Sequence, residues 1–242
     1  MTAALPIYTI EMLRPLLNRA EVISVVRSAL IRHAEGAVQS PMPGQLTFPD
    51  VNGDCHIKYG YMSGAKHFVV KVATGFYHNP QRGLAVNNGL MLLFDATTGA
   101  PRCLFQDEGS MTAWRTAAAV ALAAHCLAPR HDPAVGIVGT GQQAQLAIEW
   151  VAELLPSAHF TLLGRDPDRT QELGRLLNVA PARSMKALLD KCDLIITATP
   201  SAEALFDAND AREGQHFVGV GADGREKQEI PERLYSRANM IV

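Results

Sequence analysis

Val135-Gly136-Ile137-Val138-Gly139-Thr140-Gly141-Gln142-Gln143-Ala144 is the stretch that decides how the second half of this chain folds. A short apolar strand enters a Gly-x-Gly-x-x-Ala turn, and an amphipathic segment, Gln142 to Leu155, leaves it. Gly139 permits the tight turn, Gly141 lets the backbone approach a pyrophosphate, and Ala144 keeps the helix close to the strand. The first amides of that helix have no acceptor within it and carry a partial positive charge, which suits two linked phosphates. Glycine-rich strand-to-helix turns also occur as plain structure. Here the strand before and the helix after both favour the binding role.

Downstream, β-rich runs alternate with helical ones: Ala134 to Gly139, His159 to Gly164, Asp193 to Thr199 and His216 to Val220 against Gln142 to Leu155, Pro167 to Leu177 and Met185 to Asp190. That alternation requires right-handed crossovers, so the fold class is α/β with a doubly wound parallel sheet of the Rossmann type. The second strand ends in Leu162-Leu163-Gly164-Arg165-Asp166. An acidic residue at the strand end would favour NAD, whereas Gly164 followed by Arg165 offers space and positive charge for a 2′-phosphate. The cofactor expectation is therefore NAD(P), leaning to NADP. Gly139, Thr140, Gly141, Gln142, Gln143, Ala144, Arg165 and Thr116 form the expected cofactor-binding set. After the last strand comes Gly219-Val220-Gly221-Ala222-Asp223-Gly224. Asp223 lies beyond a strand's carboxyl end, where ligands of parallel sheets bind, although an aspartate beside glycine is equally a turn residue.

The first half reads differently. Ala20 to Glu35 carries Val22, Val25, Val26, Ala29, Leu30 and His33 at helical spacing. The breaker cluster Ser40-Pro41-Met42-Pro43-Gly44 follows. The β-rich runs Cys55 to Tyr61, His67 to Ala73 and Gly89 to Phe94, then a hairpin turn at Ala96 to Pro101 and a strand Arg102 to Gln106, indicate an antiparallel or mixed sheet. Ser110 is the expected N-cap of an alanine-rich helix, Thr112 to Leu127. The link Pro129 to Pro133 separates an N-terminal α+β substrate-binding and dimerisation domain, 1–129, from a dinucleotide-binding domain, 130–242.

Three cations in the first half are candidate carboxylate ligands. Lys71 interrupts the apolar run Phe68-Val69-Val70-Lys71-Val72-Ala73, so it must face solvent or meet an anion. Arg115 can grip a carboxylate with two hydrogen bonds, and Lys58 in His56-Ile57-Lys58-Tyr59 is the third. Each alone reads as readily as a solvated surface charge.

Lys plus Arg number 22 against 24 for Asp plus Glu, which gives no net field to gather nucleic acid or an anionic membrane. No apolar run approaches the roughly 18 residues of a membrane span, and Met1 to Arg14 does not read as a signal peptide. Cys55, Cys103, Cys126 and Cys192 lie far apart and read as reduced, mostly buried thiols. The eight histidines show no metal-ligand spacing. A cytoplasmic protein with no metal, nucleic-acid or membrane partner is expected.

Lys71, Met111-Thr112-Ala113-Trp114-Arg115-Thr116-Ala117-Ala118, the Gly139 to Ala144 fingerprint, and Gly221-Ala222-Asp223-Gly224 with Lys227-Gln228-Glu229 together resemble the ornithine cyclodeaminase and mu-crystallin family through nearly all the chain. The resemblance implies that Lys71 and Arg115 hold a substrate α-carboxylate and that Asp223 is the general acid/base at the amino nitrogen. It implies a homodimer that moves a hydride to or from the α-carbon of a small L-amino acid, as dehydrogenase or cyclodeaminase. The alternatives are an imine or ketimine reductase and a non-catalytic NADP-dependent ligand-binding protein of mu-crystallin type, a kind that generally lacks the aspartate. Three departures stand out. Gln45 occupies the place of a carboxylate-binding arginine. Lys58 replaces a glutamate, a charge reversal that argues against ornithine and for an acidic or polar substrate. The chain stops at Asn239-Met240-Ile241-Val242, which reads as a strand, where relatives continue.

Overall fold

The computed structural model describes residues 4–128, 132–222, 224 and 226–242. The chain packs as two compact units, Met1–Thr112 and Ala113–Val242. This division falls inside the alanine-rich helix, and residues 129–131 of the Pro129 to Pro133 link lie outside the described residues.

The first unit is built on a seven-stranded sheet. Its elements are β1 (Ile7–Thr9), α1 (Ile10–Leu13), α2 (Arg19–Ala34), β2 (Val38–Gln39), β3 (Gly44–Phe48), β4 (Gly53–Met62), β5 (His67–Phe76), β6 (Asn87–Asp95) and β7 (Pro101–Gln106). The sheet order is β1-β7-β6-β5-β4-β2, with β3 also pairing β4. Only β1 runs parallel to its neighbour; the other pairs are antiparallel, as the run of strands with tight turns implies. The β6–β7 hairpin is locked by Asp95. Its Oδ1 accepts from the amides of Thr97 and Thr98 at 2.9 Å each, and Oδ2 accepts from Arg102 Nη2 at 2.5 Å. The Arg102 guanidinium, then the two amides, hold the Asp95 carboxyl well below the usual carboxylate range. In α2, capped by Asn18 through the Glu21 amide, Ile23 is buried and Val22, Val26 and Ala29 are half-buried. Val25 and Leu30, expected on the inward face, are exposed. Val25, two residues after Ile23, points to the opposite side of the helix, and Leu30, two turns after Ile23, lies where the inward side is left uncovered.

The alanine-rich helix is α3 (Ser110–Leu127), with Ala113, Ala117, Ala118, Ala121 and Ala124 buried. Ser110 is not its N-cap but its first residue. The cap is Asp107, itself buried, whose carboxylate accepts from the Met111 amide at 2.8 Å and whose carbonyl accepts from the Ser110 amide. A carboxylate at this end also meets the positive pole of the helix dipole, a gain of about 1 kcal/mol.

The second unit continues with β8 (Ala134–Val138), α4 (Gln142–Leu154), β9 (His159–Leu163), α5 (Pro167–Leu177), β10 (Ala180–Pro181), α6 (Met185–Lys191), β11 (Leu194–Thr197), β12 (His216–Gly219) and α7 (Glu232–Tyr235). All five strands are parallel, in the order β10-β9-β8-β11-β12, so the winding reverses at β8. This is the expected α/β sheet, and the reversal puts a crevice at the carboxyl ends of β8 and β11. The core joins Val138 and Ile195 to Leu188, Leu189 and Cys192 of the α6 region and to Phe206 and Ala211. Residues 239–242 form no strand; Met240, Ile241 and Val242 are exposed and pair with no neighbour in either sheet. Cys103 and Cys192 are buried, but Cys126 is exposed on α3. Among the described residues no helix is long and apolar enough to cross a membrane, and no cluster of metal-ligating side chains forms.

Candidate active site

In the second unit the fingerprint bend is built around two glycines with different duties. Gly139, with φ of +125°, occupies backbone space closed to other residues, and its amide donates to Leu163 O at 2.8 Å. A Cβ there would collide with the Ala198 carbonyl. Gly141 has ordinary extended angles (φ −86°, ψ −179°) and nothing within 4 Å of where a Cβ would point. It is the N-cap of α4, yet no side chain caps that end. Uncapped amides beside an open cradle are the features a pyrophosphate needs, so the residues present fit a dinucleotide. Ala144 is buried, bringing α4 close. Gln143, in the first turn, has a buried Oε1 without a hydrogen-bond partner among the described residues.

At the end of β9 the structure revises one reason for the cofactor expectation. The space beside Gly164 is filled by Thr140 and Thr170, whose side-chain atoms a Cβ would strike. Gly164 therefore serves close packing of Thr140 rather than an opening, and a carboxylate at this position would not fit either. Asp166, the nearest acid, is the N-cap of α5, its Oδ1 accepting from the amides of Asp168 and Arg169 at 3.0 and 3.2 Å. Arg165 between them is exposed.

Past the ends of β11 and β12, the Gly221 position lies so close to Thr199 that a Cβ would overlap its backbone. Glu229, only 1% exposed, joins the two loops: Oε1 accepts from Thr199 N (2.6 Å) and Oγ1 (2.8 Å), and Oε2 from Gly221 N (2.6 Å). Sequence reasoning quoted Glu229 only as part of a motif. Its signal, one acid in the polar run Arg225-Glu226-Lys227-Gln228-Glu229, is too common to single it out. Asp223 lies outside the described residues.

In the first unit Lys58 and Lys71 stand directly opposite each other on β4 and β5, so both side chains leave the same face of the sheet. Lys71 Nζ donates to Thr112 Oγ1 at 3.2 Å, which joins two parts of the sequence pattern forty-one residues apart. Gln45 on β3 is opposite His56 on β4, on the same face as Lys58. His56 Nε2 lies 3.5 Å from Asp54. Arg115 and Thr116 lie on α3, three and four residues after Thr112 and thus on one side of that helix. Arg115 is exposed by accessible area, although neighbouring protein atoms desolvate it enough to lower its guanidinium from the ordinary value. Exposure decides access for a ligand, and the group stays charged.

A parallel sheet whose winding reverses at an open, uncapped glycine bend defines a dinucleotide-binding fold. The chain belongs to the ornithine cyclodeaminase/mu-crystallin family, whose model matches residues 7–242. It is 27% identical over 98% of its length to the alanine dehydrogenase of Archaeoglobus fulgidus, covering 73% of that protein. Among solved structures it resembles the Thermococcus litoralis Delta(1)-pyrroline-2-carboxylate reductase in complex with NADH and L-proline (27% identity, TM-score 0.86, 95% of this chain and 73% of that one). It also resembles an archaeal alanine dehydrogenase dimer with bound NAD (25% identity, TM-score 0.88, 97% and 72%). The chain spans between 64% and 73% of the length of such curated relatives.

Proposed function

We propose that this chain is an NAD(P)-dependent oxidoreductase or deaminase acting at the α-carbon of a small L-amino acid or the matching imino acid. The observation that carries the reading is the bare N-terminus of α4 at Gly141, a phosphate cradle with its own side chains kept out. When bound, the nicotinamide supplies a two-electron hydride acceptor or donor. In the oxidative direction Asp223 would accept the proton released from the amino nitrogen as Cα–N becomes C=N, the electron pair of Cα–H being the hydride that a bound cofactor would take up. Lys71, steadied by Thr112, and Arg115 hold the α-carboxylate and orient Cα, which supplies much of the rate. The same steps reversed reduce an imine.

The substrate we favour carries a second negative charge. Lys58 stands exposed directly across the strand pair from Lys71, open to a second carboxylate, and it forms no ion pair among the described residues. Absorbance at 340 nm with a panel of amino acids tests both points. L-Glutamate or L-aspartate is expected to exceed ornithine, and Lys58→Glu is expected to raise the ornithine-to-glutamate ratio of kcat/KM by about a hundredfold, because like charges at a binding site cost several kcal/mol. No change of absorbance and no ammonia with any amino acid or imine, despite cofactor binding, would favour the ligand-binding alternative.

The finer cofactor preference is NADP. No carboxylate fits at Gly164, Asp166 is engaged as a helix cap, and Arg165 is exposed beside it. Arg165→Ala is expected to weaken NADPH binding about tenfold while NADH binding changes little, measured by fluorescence titration. Equal losses for both would reverse this preference. We further assign a cytoplasmic homodimer. The face of β3–β4 opposite the lysines exposes Leu46, Phe48, Ile57 and Tyr59, an apolar patch suited to a second copy, and the four cysteines are free thiols.

A further inference from the structure

We infer that Glu229 is the positioning residue for the nicotinamide half of the cofactor site, holding the strand-end loops of β11 and β12 at a fixed separation. The inference rests on the dinucleotide reading above. Consecutive strand ends are in contact across the sheet: the Gly139 bend lies against Ala198, and Thr199 lies against Gly221. The Ala198 amide donates to Val138 O and the Val220 amide to Thr197 O, so the ladder persists to the loops and then stops. Beyond that point Glu229 takes over. Its three acceptor contacts all go to the two loops, and its own segment is tied down by Gln228 N to Ser201 O at 2.8 Å and Leu205 N to Glu229 O at 2.9 Å.

A carboxylate with 1% exposure and three neutral donors is a costly way to close a turn, because burial strips it of water. What it provides is rigidity, since charge-assisted bonds to two backbone amides fix both loops from one atom group. Dinucleotides straddle the point of strand reversal. The adenosine would lie towards β9, where Arg165 stands, and the nicotinamide on the β11–β12 side. Glu229 therefore bears on one half of the ligand and not the other.

Glu229→Gln tests this. The amide keeps one acceptor but sets an NH2 against either the Thr199 or the Gly221 amide, donor facing donor. With the purified protein, the variant is expected to bind NADH or NADPH, whichever the wild type prefers, at least tenfold more weakly. Binding of the matching adenine nucleotide, which would not reach the β11–β12 loops, should stay within about twofold. A general loosening of the unit would lower both affinities by the same factor, and that result, or no change in either, overturns the inference. Thr199→Val removes one donor and leaves the carboxylate. It should show the same selectivity in smaller measure, and it decides the matter if Glu229→Gln does not fold. Failure of the wild type to bind either dinucleotide takes down the cofactor reading and this inference together. Normal wild-type binding with an indifferent Glu229→Gln removes only the inference.

Discussion

Asp223→Asn is expected to lower kcat by roughly 10²- to 10⁴-fold while leaving cofactor affinity within a small factor of the wild type. Asparagine has nearly the same shape and still forms hydrogen bonds, but it cannot accept a proton at neutral pH. Oxidation at Cα needs the amino nitrogen to lose a proton as the hydride leaves, and imine reduction needs one returned; an amide does neither. The phosphate cradle at Gly141 and the charge at Arg165 are separate from this chemistry, so binding should survive. Initial rates at 340 nm and a fluorescence titration on the same sample separate the two effects. Turnover at the wild-type rate would remove Asp223 from the mechanism and return it to the role of a turn residue.

The parts of the fold legible in the sequence are those where local signals agree. Pro167 to Leu177 has an aspartate cap, a proline in the first turn and Asn178 in the left-handed conformation after the last, and the helix runs between those marks. The hairpin at Asp95 was legible because Thr97, Thr98 and Gly99 are turn residues with a mechanism. Elements made by tertiary pairing were not. β3 pairs with β4 from Gly53 to Ile57, and its alternation Gln45-Leu46-Thr47-Phe48 is too short to stand out beside the breaker cluster; β10, the two residues Ala180–Pro181, exists because β9 offers an edge. The C-terminal Met240-Ile241-Val242 shows the converse, an apolar run that forms no strand because no edge receives it. Among the proposed site residues, Gly141 and Lys71 are the ones that residue type and spacing alone suggest. Asp107 and Ser110 are both capping residue types three positions apart, and only the hydrogen bond from the Met111 amide shows that Asp107 caps α3. The use of Gly164 was hidden for a similar reason: a glycine that makes room for a ligand and one that makes room for Thr140 look alike in sequence.

The two fingerprint glycines should separate folding from binding when each is given a side chain. Gly139→Ala must place a Cβ on a residue with φ of +125° and against the Ala198 carbonyl, so it is strained twice. The backbone term is about 1–3 kcal/mol and overpacking adds a similar amount, enough to lower the melting temperature by several degrees or leave the unit unfolded. Gly141→Val meets neither obstacle. Its backbone angles suit any residue and no protein atom lies within 4 Å of the new Cβ, so the variant without ligand should melt within a few degrees of wild type. The isopropyl group then stands in the space a pyrophosphate needs, and affinity should fall by about a hundredfold or more. Ligand linkage turns this into one measurement: cofactor at 100 times its dissociation constant stabilises the wild type by about 2.7 kcal/mol, a shift that Gly141→Val should lose almost entirely. A Gly141→Val protein that melts like wild type and is stabilised equally by cofactor would mean that phosphates do not lie over this bend. The assignment of the bend as the cofactor's anchor would then fail, even with the fold unchanged.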